Sequence, residues 1–407
     1  MSLSPEDQRA QRIVASPAFQ AAVAHFAAEH ERFVRELIQI TEVPAPPFGE
    51  QARGELLQRL LRESGLPQVS VDGAGNVLAP RPGRGGPLFC VAAHLDTVFP
   101  AGTDVRVSRE GHVLRAPGVG DDSRSLALLL ALIRALNAAG IQPASDLLFV
   151  ANVGEEGPGD LRGARYLFTK GDYRGKIARF MSIDGFSNDL VTNGALGSKR
   201  YRVTYRGPGG HSWSAFGLVS PSLALGAAMA KLGQVQAGRD PKVSYNVGAI
   251  GGGTSVNSIP YEAWMEVDLR STSPAALDEI AATFQGLAQE AAAEENAARS
   301  TARGPLTVEI TPIGDRPSGK TPPDSPVLRQ VAAAMRAHGK TVQWNTSSTD
   351  SNIPISLGIP AFTIAAYSGD RGGNAHALDE WVDVEPAQSA QDFALALTIL
   401  LSVAEME

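Results

Sequence analysis

A chain of 407 residues, 43% hydrophobic and 19% charged, has a globular composition and is long enough for two packed domains. Its formal net charge of −7 argues against nucleic acid or an anionic membrane as the main partner, and a single cysteine excludes an internal disulfide and fits a reducing compartment. The chain opens without a basic segment leading into an apolar one, and no apolar stretch reaches the roughly 20 residues of a membrane span, so the expectation is a cytoplasmic protein.

From Ser4 to Glu42 the spacing is helical, with Phe26, Phe33, Leu37 and Ile40 three or four residues apart or in multiples of that interval. Pro44 to Gly49 breaks the pattern, and Gln51 to Ser64 resumes it as a second amphipathic helix. Val69 to Leu78 reads as a hairpin. The apolar run Leu88 to Ala93, with Cys90 as a small buried hydrophobe, predicts a strand covered on both faces, ending in His94-Leu95-Asp96. Residues two apart on a strand point the same way, so His94 and Asp96 can enter one cavity. A densely apolar helix, Arg124 to Ala139, is predicted next, with Asp122 or Ser123 as N-cap and Gly140 as its stop. Three more buried strands follow. Asp146 to Val153 ends in Gly154-Glu155-Glu156-Gly157, Arg179 to Ile183 ends at Asp184, and Ala361 to Ala366 runs into a glycine-rich loop that reaches His376. Strands alternating with helices predict an α/β fold with a mainly parallel sheet.

The segment between changes character. Half-exposed strands at Arg200–Arg206, Lys242–Gly248, Ala263–Arg270 and Leu306–Thr311 are interleaved with helices at Pro221–Gly233 and Pro274–Ala298. That β-α-β-β-α-β order is the ferredoxin-like arrangement. The expected organisation is a first domain in two parts, residues 1–196 and 319–407, with residues 197–318 inserted as a second α+β domain.

The strand ends collect His94, Asp96, Asp121, Glu155, Glu156, Asp184 and His376. Each has a bland explanation of its own: a core histidine, a helix cap, a solvated acidic turn. Together, at the ligand-binding end of one sheet, they form a site. Histidines and carboxylates without cysteine suit zinc, and also manganese or cobalt. So many carboxylates in one cleft are unfavourable without a cation, and two metals about 3.5–4 Å apart would share a bridging carboxylate. His25, His30, His112 and His338 have no such company and receive no role.

The order His-x-Asp, Gly-x-Gly-Asp-Asp, Gly-Glu-Glu-Gly, Ile-Asp-Gly and a late Ala-His-Ala resembles the di-zinc exopeptidase family of peptidase T, carboxypeptidase G, aminoacylase-1 and succinyl-diaminopimelate desuccinylase. The resemblance covers nearly the whole chain, the inserted lid domain included. It implies that His94 and Asp184 hold one zinc, Glu156 and His376 the other, and that Asp121 bridges them. It further implies that Glu155 is the general base toward a metal-bound water, that Asp96 orients His94 through its second ring nitrogen, and that the Asp121–Asp122 peptide is cis. In the insert, Gly209-Gly-His211-Ser212 matches the family's oxyanion-stabilising histidine, often supplied across a dimer interface. Asn257 and Arg270 resemble residues that grip the substrate backbone and carboxylate, a task suited to an arginine fork.

Many relatives carry a lysine just after the Asp-Asp pair, where this chain reads Ser123-Arg124-Ser125. Aspartate at position 184 accompanies aminopeptidases and di- or tripeptidases in the family, and Thr41–Gly49 and Leu161–Tyr166 also look like the peptidase T branch. The resemblance therefore implies an enzyme that cleaves short peptides with a metal-bound hydroxide, and the edge strands available in a ferredoxin-like insert lead us to expect a homodimer paired through it. The alternatives are an N-acyl-amino-acid amidohydrolase or carboxypeptidase on the same scaffold and, more remotely, a non-catalytic binding protein.

Overall fold

The strand around Cys90 runs from Gly86 to His94, and its last six residues are all buried, as a strand covered on both faces requires. It lies parallel to Ser145–Asn152 and to Ile177–Ile183, and Ala361–Ile364 continues the parallel set beyond the latter. In this computed structural model, which describes residues 3–406, four parallel strands thus carry His94, Glu155, Asp184 and the approach to His376 at their C-terminal ends.

The sheet as a whole is mixed, which corrects the mainly parallel expectation. The hairpin Ser70–Val71 and Val77–Arg81 adds antiparallel strands at one edge. On the other side Leu190–Ala195 pairs antiparallel with Ala361–Ile364 and parallel with Gln343–Ser347. Those two strands went unread because Thr192-Asn-Gly194 and Asn345-Thr-Ser347 lack both an apolar run and clean alternation.

Around this sheet the helices follow the apolar periodicity, with two local corrections. The N-terminal helical stretch is three helices, Pro5–Ala15, Pro17–Ala28 and His30–Thr41. The first break is chemical: Ser16 caps the second helix by accepting the Phe19 N–H on its hydroxyl, with Pro17 at the first helical position. The helix Ser125–Ala138, buried from Ser125 to Leu136, has no side-chain cap, contrary to the expectation for Asp122 or Ser123. Asp122 instead accepts the backbone N–H of His94, while Gly140 at φ +61° ends the helix as expected. Phe26 stacks on Phe393 of the C-terminal helix Pro386–Val403, centroids 4.3 Å apart, inside the largest apolar core.

Two compact units divide the chain, Leu196–Gly319 and the residues on either side of it. The inserted unit has an antiparallel sheet in the order Val243–Gly252, Glu262–Ser271, Gly197–Arg206, Thr307–Arg316. Glu262–Ser271 alternates in burial at every residue. Tyr201, Val203, Tyr205, Met265 and Leu269 form a core with Phe284 of the helix Pro274–Ala298. On the opposite sheet face Arg200 pairs with Asp268, Arg202 with Glu266 and Arg206 with Glu262, each directly across the strands. Among the described residues, no helix is long and apolar enough to cross a membrane.

Candidate metal centre

His94, 1% exposed, ends its strand with Nδ1 2.9 Å from the backbone carbonyl oxygen of Asp96. A carbonyl only accepts, so Nδ1 carries the proton and Nε2 is left free to ligate. The second ring nitrogen of His94 therefore meets Asp96 through the main chain, while the Asp96 carboxylate stays 3.7 Å from Nδ1. Its two oxygens accept the backbone N–H groups of Glu155 and Glu156, at 3.0 and 2.8 Å. The fully buried Asp96 therefore fixes the acidic pair, and its main chain fixes the histidine.

Asp121 lies at the convergence of the two histidines. Its Oδ1 is 3.0 Å from His94 Nε2 and its Oδ2 is 3.1 Å from His376 Nε2, which also lies 3.0 Å from Glu156 Oε1. Asp121 reaches this place on a turn with a cis Asp121–Asp122 peptide, as expected, and with Gly118 in the left-handed region at φ +76°. Three overlapping sets place ligand atoms within 4.8 Å of one another: His94 with Asp121, Asp122 and Asp184; His94 with Glu155 and Glu156; and Asp121 with Glu156 and His376. All seven residues expected at the strand ends thus meet at one place, Asp96 through backbone bonds and the other six through ligand-type atoms.

The electrostatics of the cluster fit a bound cation. Burial, together with the nearby charge of Asp121, pushes Asp184 well above the usual carboxylate range, and Asp122 is raised in the same way. Burial opposes charge on His94, yet Asp122, Asp121 and Asp96 outweigh it and hold the imidazole well above its ordinary value. Hydrogen bonds to Asp121 and Glu156 push His376 up to about 10. Asp121 moves the other way: burial opposes it, yet hydrogen bonds to His376 and His94 hold its carboxyl below the usual carboxylate range. A divalent cation would relieve the crowding of buried carboxylates around this place and compete with protons for their oxygens.

Two residues of this neighbourhood escaped the sequence reading. Arg53 is fully buried and donates to the carbonyls of Thr41, Val43 and Leu95; burial lowers its pKa to about 10 while Asp96 and Asp122 pull the other way. It supplies a fixed positive charge behind the carboxylates. Glu380 accepts three backbone N–H groups from the turn that carries Asp121. Neither residue stands at a strand end or in a motif, so the sequence pattern gave no signal for it.

The inserted unit holds the remaining candidates. His211 pairs with Ser258 in a short antiparallel ribbon, and its Nδ1 accepts the N–H groups of Trp213 and Ser214 at 3.1 and 3.4 Å. That fixes the proton on Nε2, so a neutral His211 presents a donor. The Asn257 backbone carbonyl accepts the Ser212 N–H, and its side-chain oxygen accepts the Ser255 hydroxyl. Arg270 Nε donates to Asp268 at 2.5 Å.

Two imidazoles and several carboxylates around one aspartate, at the ends of parallel strands, make a candidate metal centre of the kind that metal-dependent hydrolases use. Residues 90–404 match peptidase family M20/M25/M40, and the chain belongs to that family of metal-dependent peptidases. The succinyl-diaminopimelate desuccinylase of Alkalilimnicola ehrlichii is 28% identical over 251 residues, 56% of this chain but only 64% of that protein, just under two thirds of its length. Among solved structures, aminopeptidase PepT from Bacillus cereus superposes with a TM-score of 0.73 at 22% identity, covering 92% of this chain and 99% of that one. The dinuclear metal binding peptidase YXEP of the M20 family, from Bacillus subtilis, gives 0.64 at 18% identity over 92% and 98%. At these identities the two structures establish a shared fold.

Proposed function

We propose that this protein is a cytoplasmic di-zinc exopeptidase that hydrolyses short peptides near a free terminus. The observation that carries the reading is the two-sided engagement of Asp121 by His94 and His376, at 3.0 and 3.1 Å. His94 and Asp184 would hold one ion and Glu156 and His376 the other, with Asp121 between them; zinc suits this donor set, and manganese or cobalt could replace it. When bound, such a pair supplies Lewis acidity and lowers the pKa of water from 15.7 to roughly 7.

The protein's own groups do the rest. Glu155, 5% exposed and locked through its N–H to Asp96, takes a proton from the attacking water and returns it to the departing amine. His211 donates from Nε2 to the developing oxyanion, in keeping with the proton position set by its backbone contacts. Asn257 and Arg270 bind the peptide backbone and carboxylate, and the inserted unit serves as a lid. That unit also pairs two copies into a homodimer, an arrangement supported by the free outer edge of the strand Val243–Gly252.

The desuccinylase match favours a second reading, an amidohydrolase that removes an acyl group from an amino acid with the same centre. A panel of di- and tripeptides, free and N-acylated, assayed with zinc, manganese, cobalt or a chelator, separates the two. Chelator-sensitive cleavage of free-amine peptides is the expected result, and preference for acylated substrates would move the assignment to the amidohydrolase. Glu155→Ala should keep its metals and lose roughly 10²- to 10⁴-fold in turnover; substantial residual activity would refute Glu155 as the base.

A further inference from the structure

We infer that Glu380 is the positioning residue of the metal centre, a buried carboxylate that holds the bridging aspartate and the loop of the exposed histidine in register with one another. The inference rests on the di-metal reading above. Glu380 is 2% exposed. Its Oε1 accepts the N–H groups of Gly120 and Asp121, both at 2.8 Å, and its Oε2 accepts that of Gly118, also at 2.8 Å. Three converging main-chain donors make a fixed concavity of the kind that binds anions, and here a carboxyl side chain of the same molecule fills it. The turn is shaped for that contact. A Cβ at Gly120 would come within 2.9 Å of Glu380 Oε1 and 3.0 Å of the Tyr367 hydroxyl, so the approach requires glycine.

What Glu380 joins gives it more than a structural role. It follows His376 by four residues on a glycine-containing loop, and its own backbone is pinned by the Ala116 N–H to its carbonyl and by its N–H to Ala377. The turn it grips lies some 260 positions earlier in the chain and ends in Asp121. One carboxylate thus connects the carriers of two groups that must meet: Asp121, common to both ion positions, and His376, whose side chain is 53% exposed. Releasing this latch would free the Asp121 turn and loosen the anchorage of the His376 loop in a single step. Both ion positions would feel the change.

The shape of the contact dictates the variants. Glutamine keeps the volume, but its single oxygen can serve Gly120 and Asp121 only by turning its NH2 against the N–H of Gly118. Aspartate keeps the charge and falls short by one methylene. Glu380→Gln and Glu380→Asp would be stripped with chelator, checked by circular dichroism, and titrated with zinc and with cobalt(II), following cobalt absorption bands, ion stoichiometry and metal-free melting temperature. Removing an outer partner of a metal ligand typically weakens binding 10- to 100-fold, and a loss of that size, with shifted cobalt bands, is expected for at least the more weakly held ion. Either variant can carry the test should the other fail to fold. A lowered melting temperature with wild-type affinities and cobalt spectrum would overturn the inference, since Glu380 would then be merely structural. If wild-type protein itself bound neither metal, the di-metal reading would fall and the inference with it, whereas two ions held equally by wild type and variants would overturn the inference alone.

Discussion

Asp96→Asn isolates what this carboxylate does. Asp96 is wholly buried and gives one oxygen to each of the Glu155 and Glu156 N–H groups, at 3.0 and 2.8 Å. Asparagine has one oxygen, so one of these donors would face an amide NH2. A hydrogen bond to a charged group is worth about 1.5–3 kcal/mol, and an orphaned buried donor costs about 1–3 kcal/mol. The two figures overlap, and Arg53 also loses a nearby countercharge, so we expect a loss of about 3 kcal/mol in the metal-free protein. Turnover should fall on the order of 100-fold, the usual consequence of moving a catalytic group by about 1 Å. The ring of His94 should keep its place, because the carbonyl that holds Nδ1 belongs to the main chain and survives the substitution. Urea unfolding after chelation reads the first effect and single-substrate kinetics the second. An unchanged urea midpoint combined with loss of metal would refute this reasoning and show that the carboxylate acts on the histidine ring after all.

Two further outcomes follow from packing and from proton linkage. Phe393→Ala removes a 1% exposed ring stacked on Phe26 and should cost about 3–5 kcal/mol, seen as a lower urea midpoint; a loss below about 1 kcal/mol would mean that the C-terminal helix shifts to fill the space. His338 donates from Nε2 to the Thr398 hydroxyl, which itself donates to the Ala394 carbonyl, and burial, followed by the charge of Lys340, holds the ring's pKa below its ordinary value. The unfolded chain then binds the proton more readily, so this contribution to stability is complete above about pH 6.5 and is lost as the pH falls toward the folded pKa. His338→Gln should flatten the fall in urea midpoint between about pH 7 and 5, and parallel curves for variant and wild type would refute the linkage.

The candidate site was legible because its residues stand where buried strands stop. His94, Glu155 and Asp184 each follow an apolar run whose only neutral reading is a strand, and chemistry at such an end announces itself in one dimension. Partners that work through the main chain do not. Glu380 binds three N–H groups, and a backbone donor has no letter in the sequence. Asp122 shows the opposite error, a correct local rule overruled from a distance: aspartate before a helix predicts a cap, but the His94 N–H, 28 positions earlier, takes the oxygen. Arg53 was hidden by its helix, since an arginine among leucines in an amphipathic pattern is solvated far more often than it is buried against carbonyls. The mixed edge of the large sheet escaped for a plainer reason, that Leu190–Ala195 is too polar to look like a strand until Ala361–Ile364 covers it.

The unit Leu196–Gly319 leaves and rejoins the chain at neighbouring points. On its own side Ser198 lies across from Arg316 in adjacent strands, and on the other side Asn193 and Thr321 exchange two hydrogen bonds, at 2.8 and 2.9 Å. Such an insertion behaves as a cassette. A few glycines between Ala195 and Lys320 could bridge the gap without asking either flanking strand to move. Loop-closure entropy grows only logarithmically, by about 0.6 kcal/mol per doubling of length, so the host is nearly indifferent to how much is spliced there. At the level of chain connectivity, the cassette can be trimmed, enlarged or exchanged with little cost to the sheet whose strand ends carry His94, Glu155 and Asp184.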